Sequence, residues 1–436
     1  MSSSNKKIGL ITATSLVVGN MIGAGIFILP ASLSTYGSIS LLGWVFTASG
    51  AIILAKIFSN LSKIIVNKSG GPYAYSKEGF GDFIGFLVAW GYWISTWISN
   101  AAIAIAIIGA LSFFFPILET NSFLAVSIGL SMIWFFTWIN SNGVRTSGKI
   151  QVITTVLKIL PLVFVIIFGL FFFSLDNFPK FNLTGETDFT TFSLVAAITL
   201  YAFLGLESAS IPTENIKNSS KTVPKATMLG TIISTCIYIL GTVVLFGILP
   251  TETLQNSPAP FAEAGQVIGG KYAGYFVAMG AAISGMGALN GWILILAQIP
   301  MAAAKDNIFP KVFKKNNKKG APILGLIIGS LLSSVVMLMN FSDSLVTQFT
   351  FMVNLTVLAC LVPYLFVSAA YIIIVIQKNK ETSGILKTVI LGLLGFLYSL
   401  WAIYGSTAEV VFYGFLLLLL GIPFYVLMQW NKSKTK

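Results

Sequence analysis

Three charged side chains stand inside long apolar runs of this sequence: Lys56, Lys158 and Glu207. Charge within a hydrocarbon layer is costly, and such residues are kept for pairing, for ion or proton traffic, or for contact with a substrate. None of the 436 residues is a histidine, so no imidazole serves as general base, proton shuttle or metal ligand. Cys236 and Cys360 lie far apart in apolar stretches, which gives neither a zinc site nor a disulfide framework. A membrane enzyme would need clustered Asp, His or Cys at the bilayer face, and the sequence offers no such cluster; it implies no cofactor and no metal.

Two glycine-centred segments are the other candidates for chemistry, GNMIGAGIF at 19–27 and YAFLGLES at 201–208. Gly19 and Gly23 also fit ordinary close packing of helices through small residues. The sharper reading is that both helices unwind at these points, since paired interruptions in two halves of a chain point to a transport site. The last carbonyls before each break, near Met21 and Tyr201, would suit an ammonium group. The N–H groups that open the second half-helices, near Gly25 and Leu206, would suit a carboxylate. Both polarities in one place fit an α-amino acid.

The elements that position these residues are membrane helices. Hydrophobic residues make up 56% of the chain and charged ones 9%, with a mean hydropathy of +0.88; soluble domains average about 25% charged residues. A hydrocarbon core of about 30 Å needs roughly 20 helical residues. Twelve apolar runs satisfy this, at 8–35, 39–66, 81–115, 122–140, 147–173, 189–216, 223–249, 261–304, 322–341, 344–377, 385–405 and 409–430. The first is too long for a signal peptide and has no credible cleavage site before Pro30. The longer runs suggest tilted or extended helices.

Lysine and arginine are retained on the cytoplasmic side of a membrane. Placing both termini and every second loop there collects Lys6, Lys7, Lys63, Lys68, Lys77, Arg145, Lys149, Lys217, Lys221, Lys225, the lysines of 305–319, those of 378–387 and the tail. Only Lys180 and Lys271 fall outside, where Glu119, Asp176, Glu186, Asp188, Glu252, Glu263, Asp343 and Glu409 gather. The net charge of +12 is thus loop orientation beside an anionic leaflet and needs no nucleic acid. Lys56 lies nearer a helix end and can snorkel toward the cytoplasm.

Five spans run from the first break (8–173) and five from the second (189–377), with two more at 385–430, all in one transmembrane domain covering 1–436. An odd repeat inverts its own topology, so this matches a five-plus-five inverted repeat. Twelve spans also suit a six-plus-six transporter.

At these residues the sequence resembles the amino acid, polyamine and organocation transporter family. The similarity rests on VVGNMIGAGIFILP in span 1, GGPYAYSKEGFG in the loop at 70–81 and FLGLESASIPTENIKNSSKTVPKA at 203–226. It continues through GWILILAQ, AAAKDNIFP and LVPYLF, nearly the whole chain, and is strongest toward the arginine/agmatine and putrescine/ornithine exchangers. The resemblance implies an all-α, leucine-transporter-type fold with broken helices 1 and 6, and alternating access. It implies that Met21, Gly23, Ala24 and Gly25 take the α-carboxylate and α-amine, with Leu204 at the second break. Tyr201 stands at a gating aromatic position, Asn100 at a polar ligand beside the aromatic Tyr92, Trp292 at a stacking position for a cationic arm, Thr356 at a hydroxyl contact and Tyr364 at a gate partner. Glu207 matches an acid that senses protonation.

Two departures stand out. Ala24 replaces a serine that contacts the carboxylate in the arginine exchanger, which leaves more of that contact to the backbone. Lys158, in TVLKILPL, has no counterpart in the exchangers compared, while other branches carry a lysine at this place where a sodium ion would sit. It is read either as a proton-linked group or as a permanent structural cation that ties spans 1, 5 and 8.

The expected function is an inner-membrane antiporter, both termini cytoplasmic, that exchanges a basic amino acid (arginine, lysine or ornithine) for its amine or another amino acid. A proton-coupled symporter using Lys158 is the alternative. A non-transporting sensor fits less well without an added soluble domain. The expected partners are a small-molecule substrate and the lipid bilayer, and glycine-rich helix faces permit a homodimer without demanding one.

Overall fold

The fold comes from a computed structural model, which describes residues 7–66, 68–257, 259–339, 345–378, 384–404 and 408–433. Long unbroken apolar runs leave backbone polar groups no partner but one another, and in lipid that means helices. Among the described residues seventeen follow: α1 (Leu10–Met21), α2 (Leu29–Ser34), α3 (Ile39–Ile64), α4 (Pro72–Phe80), α5 (Asp82–Ser112), α6 (Ile117–Thr120), α7 (Ser122–Ser141), α8 (Val144–Gly169), α9 (Asp188–Leu200), α10 (Ser219–Ile248), α11 (Thr251–Asn256), α12 (Pro260–Lys305), α13 (Ile323–Met339), α14 (Leu345–Lys378), α15 (Ile385–Tyr404), α16 (Ala408–Leu419) and α17 (Gly421–Ser433). Among the described residues there is no strand, only an isolated bridge between Ile8 and Ile216. Nine of the described helical segments are long and apolar enough to cross a membrane, and Leu10–Met21, Asp188–Phe203 and Ile323–Met339 are shorter apolar helices.

Burial grades outward from the middle of the bundle. The apolar stretch of α12 is 83% buried, whereas Val411–Trp430 at the end of the chain is 17% buried. The central helices approach closely because small residues face neighbours. Pro161 interrupts the bonding of α8, and Gly280 of α12 packs on its ring, where a Cβ would lie 2.2 Å from Cγ. Lys56 is on an exposed face of α3, as a snorkelling residue would be.

One expectation holds and three need correction. Span 1 does break, α1 ending at Met21 and a tight turn at Ala24–Phe27 leading into α2. Span 6 breaks at the predicted place but does not resume as an α-helix: after Tyr201–Phe203 only short turns at Ser208–Ser210 and Thr213–Asn215 follow. Residues 208–216 therefore lack the length to build a second half-helix dipole. The long span 8 is two helices meeting at Gly269 and Gly270, where φ of +71° at Gly270 suits a residue without Cβ. GGPYAYSKEGFG is not loop throughout, because Pro72 starts the helix α4.

One end of the bundle carries the lysines. There Ile8 exchanges backbone bonds with Asn215 and Lys217, each at 2.9 Å, and Glu214 meets Lys305 at 2.5 Å. Asp306 accepts from Tyr73 at 2.7 Å and pairs with Lys77 at 3.2 Å. Glu78 accepts from Lys68 at 2.7 Å and Lys378 at 3.0 Å. The Lys68 ammonium, opposed by partial burial and aided by Lys378, holds the Glu78 carboxyl below the usual carboxylate range. What this pair contributes is present in full above the ordinary value and fades as pH falls through the depressed one.

The Gly280 contact gives a first test. Gly280→Val drives a branched side chain into the Pro161 ring, and overpacking of this kind costs about 1–3 kcal/mol. The thermal unfolding midpoint of the purified protein should fall, while Gly280→Ala should fall less; equal midpoints for both would remove this packing argument.

Candidate functional site

The two breaks face each other. Gly205 has φ of +104°, and a Cβ there would lie 3.1–3.3 Å from Asn20 and Met21, so glycine is needed both for the turn and for the close approach. Asn20 donates from Nδ2 to Ser208 Oγ at 2.8 Å and joins the two segments directly. The buried Tyr238 donates to Ala202 O at 2.8 Å and holds the second segment from α10.

Lys158 holds the first. Its ammonium, fully buried, donates to Gly19 O at 2.9 Å, Ile22 O at 2.5 Å and Ser284 O at 3.3 Å. An ammonium has three hydrogens, and all three are used. Ser284 Oγ lies 3.1 Å from both Ile22 O and Gly23 O, so α8 and α12 together satisfy carbonyls that the break in α1 has freed. Trp292 donates from Nε1 to Asn20 O at 3.2 Å. The carbonyls expected to receive a substrate ammonium are thus largely occupied: Gly19, Asn20 and Ile22 by side chains, Met21 by Gly23 N–H, Tyr201 by Leu204 N–H, and Ala202 by Tyr238.

Beside these breaks is a cavity. Of the residues predicted for the site, Met21, Gly23, Gly25, Tyr201, Leu204 and Trp292 line it. Sequence reasoning missed Asn20, Ile26, Leu29, Ser99, Ile103, Ala106, Ala202 and Ala288, which also line it. Asn20 was legible as the one amide inside GNMIG; the apolar positions on α5 carry no signal of their own. Not one lining residue is charged. A second, apolar cavity between Phe27, Ala106, Ala110, Phe261 and Val277 shares Ala106 with the first and lies farther along α5, away from the lysine-rich end.

The remaining predicted residues stand back from the lining. Asn100 is wholly buried next to Ser99, and neither Nδ2 nor Oδ1 has a hydrogen-bond partner. Thr356 is buried on α14. The side chain of Ala24 lies outside the described residues. Glu207, Tyr92 and Tyr364 form one buried cluster toward the lysine-rich end: Tyr92 Oη donates to Glu207 Oε1, and Tyr364 Oη donates to Oε2 at 2.5 Å. No cation pairs with this carboxyl among the described residues; its partners are two phenols. Glu207 O in turn accepts from Ser210 N and Ser210 Oγ at 2.7 Å, which closes the turn after the break.

Comparison with known proteins bears on this arrangement. The amino acid permease family profile matches residues 8–424. The chain belongs to that family. It is 34% identical to the arginine/agmatine antiporter of Chlamydia pneumoniae, over 100% of this chain and 93% of that protein. It is 34% identical to the putrescine transporter PotE of Escherichia coli, over 98% and 97%, and 33% identical to that of Haemophilus influenzae, over 99% of each. The permease is accordingly a multi-pass transporter of the amino acid and polyamine class, and not an enzyme.

Within the permease, Lys158 supplies a decisive test of the break. Lys158→Ala removes three hydrogen bonds to carbonyls in a dry interior, at roughly 1.5–3 kcal/mol for each charged hydrogen bond lost. Lys158→Ala should lower thermal stability by several degrees and leave little folded protein in membranes. A variant as stable as the parent would show that the break does not need this cation.

Proposed function

We propose that the permease is an antiporter that exchanges a basic amino acid, arginine, lysine or ornithine, for its amine or another amino acid by alternating access. The observation that carries this reading is the meeting of two unwound segments, joined by Asn20 and Ser208, beside a cavity that Trp292 and Tyr201 line. The names of the relatives, an arginine/agmatine antiporter and putrescine transporters, supply the substrate class.

In this reading the backbone from Met21 to Gly25, Ala24 included, and Leu204 take the α-amino acid head. The turn at Ala24–Phe27 begins with N–H groups that have no helical partner, suited to a carboxylate. The cationic arm lies over the Trp292 indole, a contact contributing about 0.5–2 kcal/mol, with the unpaired Asn100 amide and the Thr356 hydroxyl at its sides. Tyr201 closes the cavity above, and Glu207 with Tyr92 and Tyr364 closes it toward the lysine-rich end. Lys158 acts as a fixed cation of the fold, a role supported by its three carbonyl bonds. That favours exchange over a symport cycle in which Lys158 would carry a proton.

The fold proposed for this cycle has twelve spans, with five-plus-five inverted repeats over 8–173 and 189–377 and two further helices at 385–430. The lysine-rich end faces the cytoplasm, with both termini, across the inner membrane. Support comes from the breaks at the first helix of each half and from the charge bias of the loops.

Reconstituted vesicles test the exchange. Preloading with arginine or agmatine should accelerate uptake of labelled arginine strongly over empty vesicles; uptake into empty vesicles driven by an inward proton gradient would sink obligatory exchange. Trp292→Ala should weaken arginine more than a neutral amino acid in competition for uptake, by roughly two- to thirtyfold if the indole face holds the cation. Equal loss for both would remove that role.

A further inference from the structure

One buried amide has no place in the site described above. Gln298 on α12 is 1% exposed, and neither its Nε2 nor its Oε1 has a hydrogen-bond partner. Leaving a buried amide unpaired is expensive, so such a group calls for a partner met in another state, water or a ligand.

Its direction follows from helix geometry. At 3.6 residues per turn Gln298 falls between Gly287 and Gly291 around the axis of α12. A Cβ on Gly287 would lie 2.5 Å from Thr154 Oγ1 of α8, and one on Gly291 would lie 1.8 Å from Asn20 Oδ1 of α1 and 3.1 Å from Gln151 Oε1 of α8. Gln298 therefore points at the seam where α1 and α8 meet, about 10 Å from Gly291 toward the lysine-rich end. Leu16, Val144 and Leu294 form a small separate cluster on that seam.

Above that apolar cluster the seam is polar. Thr155 and Gln151 donate to Ser15 O at 3.1 and 3.4 Å, and Asn290 donates to Gln151 Oε1 and Ser147 O at 3.0 Å each. Asn20 Oδ1 on the same seam is unpaired too. The other way out of the cavity toward this end is different in kind: beyond Glu207 it meets Phe86, Trp90, Trp93 and Phe309, packed ring on ring. A zwitterion or a polyamine that leaves toward the lysine-rich end finds amides and backbone carbonyls on the first route, against the Glu207 cluster and the unpaired Trp93 indole N–H on the second.

We propose that Gln298 is a polar contact for the amino acid or amine in transit on the cytoplasmic side, reached when α1 parts from α8. The amide offers one acceptor and two donors, so it takes either a carboxylate or an ammonium, as an exchanger of amino acid for amine requires. This rests on the exchange reading for the identity of the solute but not for the accessibility of the residue.

Two measurements test it. In a chain with Cys236→Ser and Cys360→Ser, Gln298→Cys should react with a membrane-impermeant cationic methanethiosulfonate from the cytoplasmic face and not from the outer face. Absence of reaction from the cytoplasmic face, with Lys319→Cys reacting as control, overturns the proposal. Second, Gln298→Leu should raise the half-saturating arginine concentration on the cytoplasmic side roughly fivefold, the worth of one hydrogen bond, with the external value unchanged and Gln298→Asn restoring part of the loss. Equal shifts on both faces, or none, overturn it. If the unaltered permease exchanges no arginine, the exchange reading fails by itself and the labelling result still decides whether Gln298 is reached.

Discussion

The structure depends on how it satisfies the backbone of two helices that stop in the middle of a membrane. Away from water each unpaired carbonyl or N–H costs several kcal/mol, and the breaks at Ile22–Gly23 and Leu204–Glu207 free several at once. Helices alone cannot resolve this. The answer is a ring of long polar side chains from surrounding elements: Lys158 from α8, Ser284 and Trp292 from α12, and Tyr238 from α10, with Asn20 and Ser208 joining the two breaks themselves.

That solution sets the packing. For Lys158, Gln151 and Asn20 to reach across, the helices opposite must present no side chain, and they do not. Gly19 faces Gln151, Gly287 faces Thr154, Gly291 faces Asn20 and Gly280 faces Pro161, each at a distance that a Cβ would close below 3 Å. The glycines of α1 and α12 are therefore less a dimerisation motif than space reserved for amides and one ammonium. The same economy leaves the cavity free of charged lining residues: the charge near it, Lys158, is already solvated by carbonyls, and the carboxyl of Glu207 is capped by two phenols. In the proposed reading a substrate brings its own charges to dipoles, a π face and the Asn20 amide.

The breaks were legible in the sequence because their cause is local. Gly23, Gly25 and Gly205 interrupt apolar runs at corresponding places in the two halves, and it is the pairing, not glycine alone, that marks a break. The fate of the chain after the second break was not legible, since whether residues 208–216 resume a helix depends on Ser208 and Ser210 finding partners on α1 and on Glu207, a tertiary matter. Gly269 and Gly270 were hidden inside a run that read as one long helix, because hydropathy is blind to φ. Lys158 was singled out correctly as a buried charge, yet the sequence left its role open; three carbonyl partners from two helices support the proposed fixed cation, and no spacing rule contains that information. Gln298 drew no notice at all. Among neighbours in GWILILAQ it reads as one polar residue near a helix end, and only its burial without a partner makes it unusual.

The lysine-rich end is held by weaker means than the middle. Its ion pairs are partly exposed, Lys305 and Glu214 by 39% and 42% and Lys68 by 57%, and exposed pairs contribute about 0–1 kcal/mol each. The backbone bonds of Ile8 add two more weak ties. The ion pairs and backbone ties of this rim can open for a cost of a few kcal/mol, comparable to the binding energy of a small solute, whereas the packed rings of Phe86, Trp90, Trp93 and Phe309 and the ring of bonds around the breaks yield less easily. Alternation between two faces needs that contrast, because a ligand shifts a conformational equilibrium only by its differential affinity for the two states. The rigid part and the yielding part of this permease are thus separated by the kind of interaction each uses: buried hydrogen bonds to carbonyls at the site, solvated charge at the rim. The partly exposed rim contacts can trade protein partners for water as they open, so the energetic penalty of opening stays within reach of substrate binding.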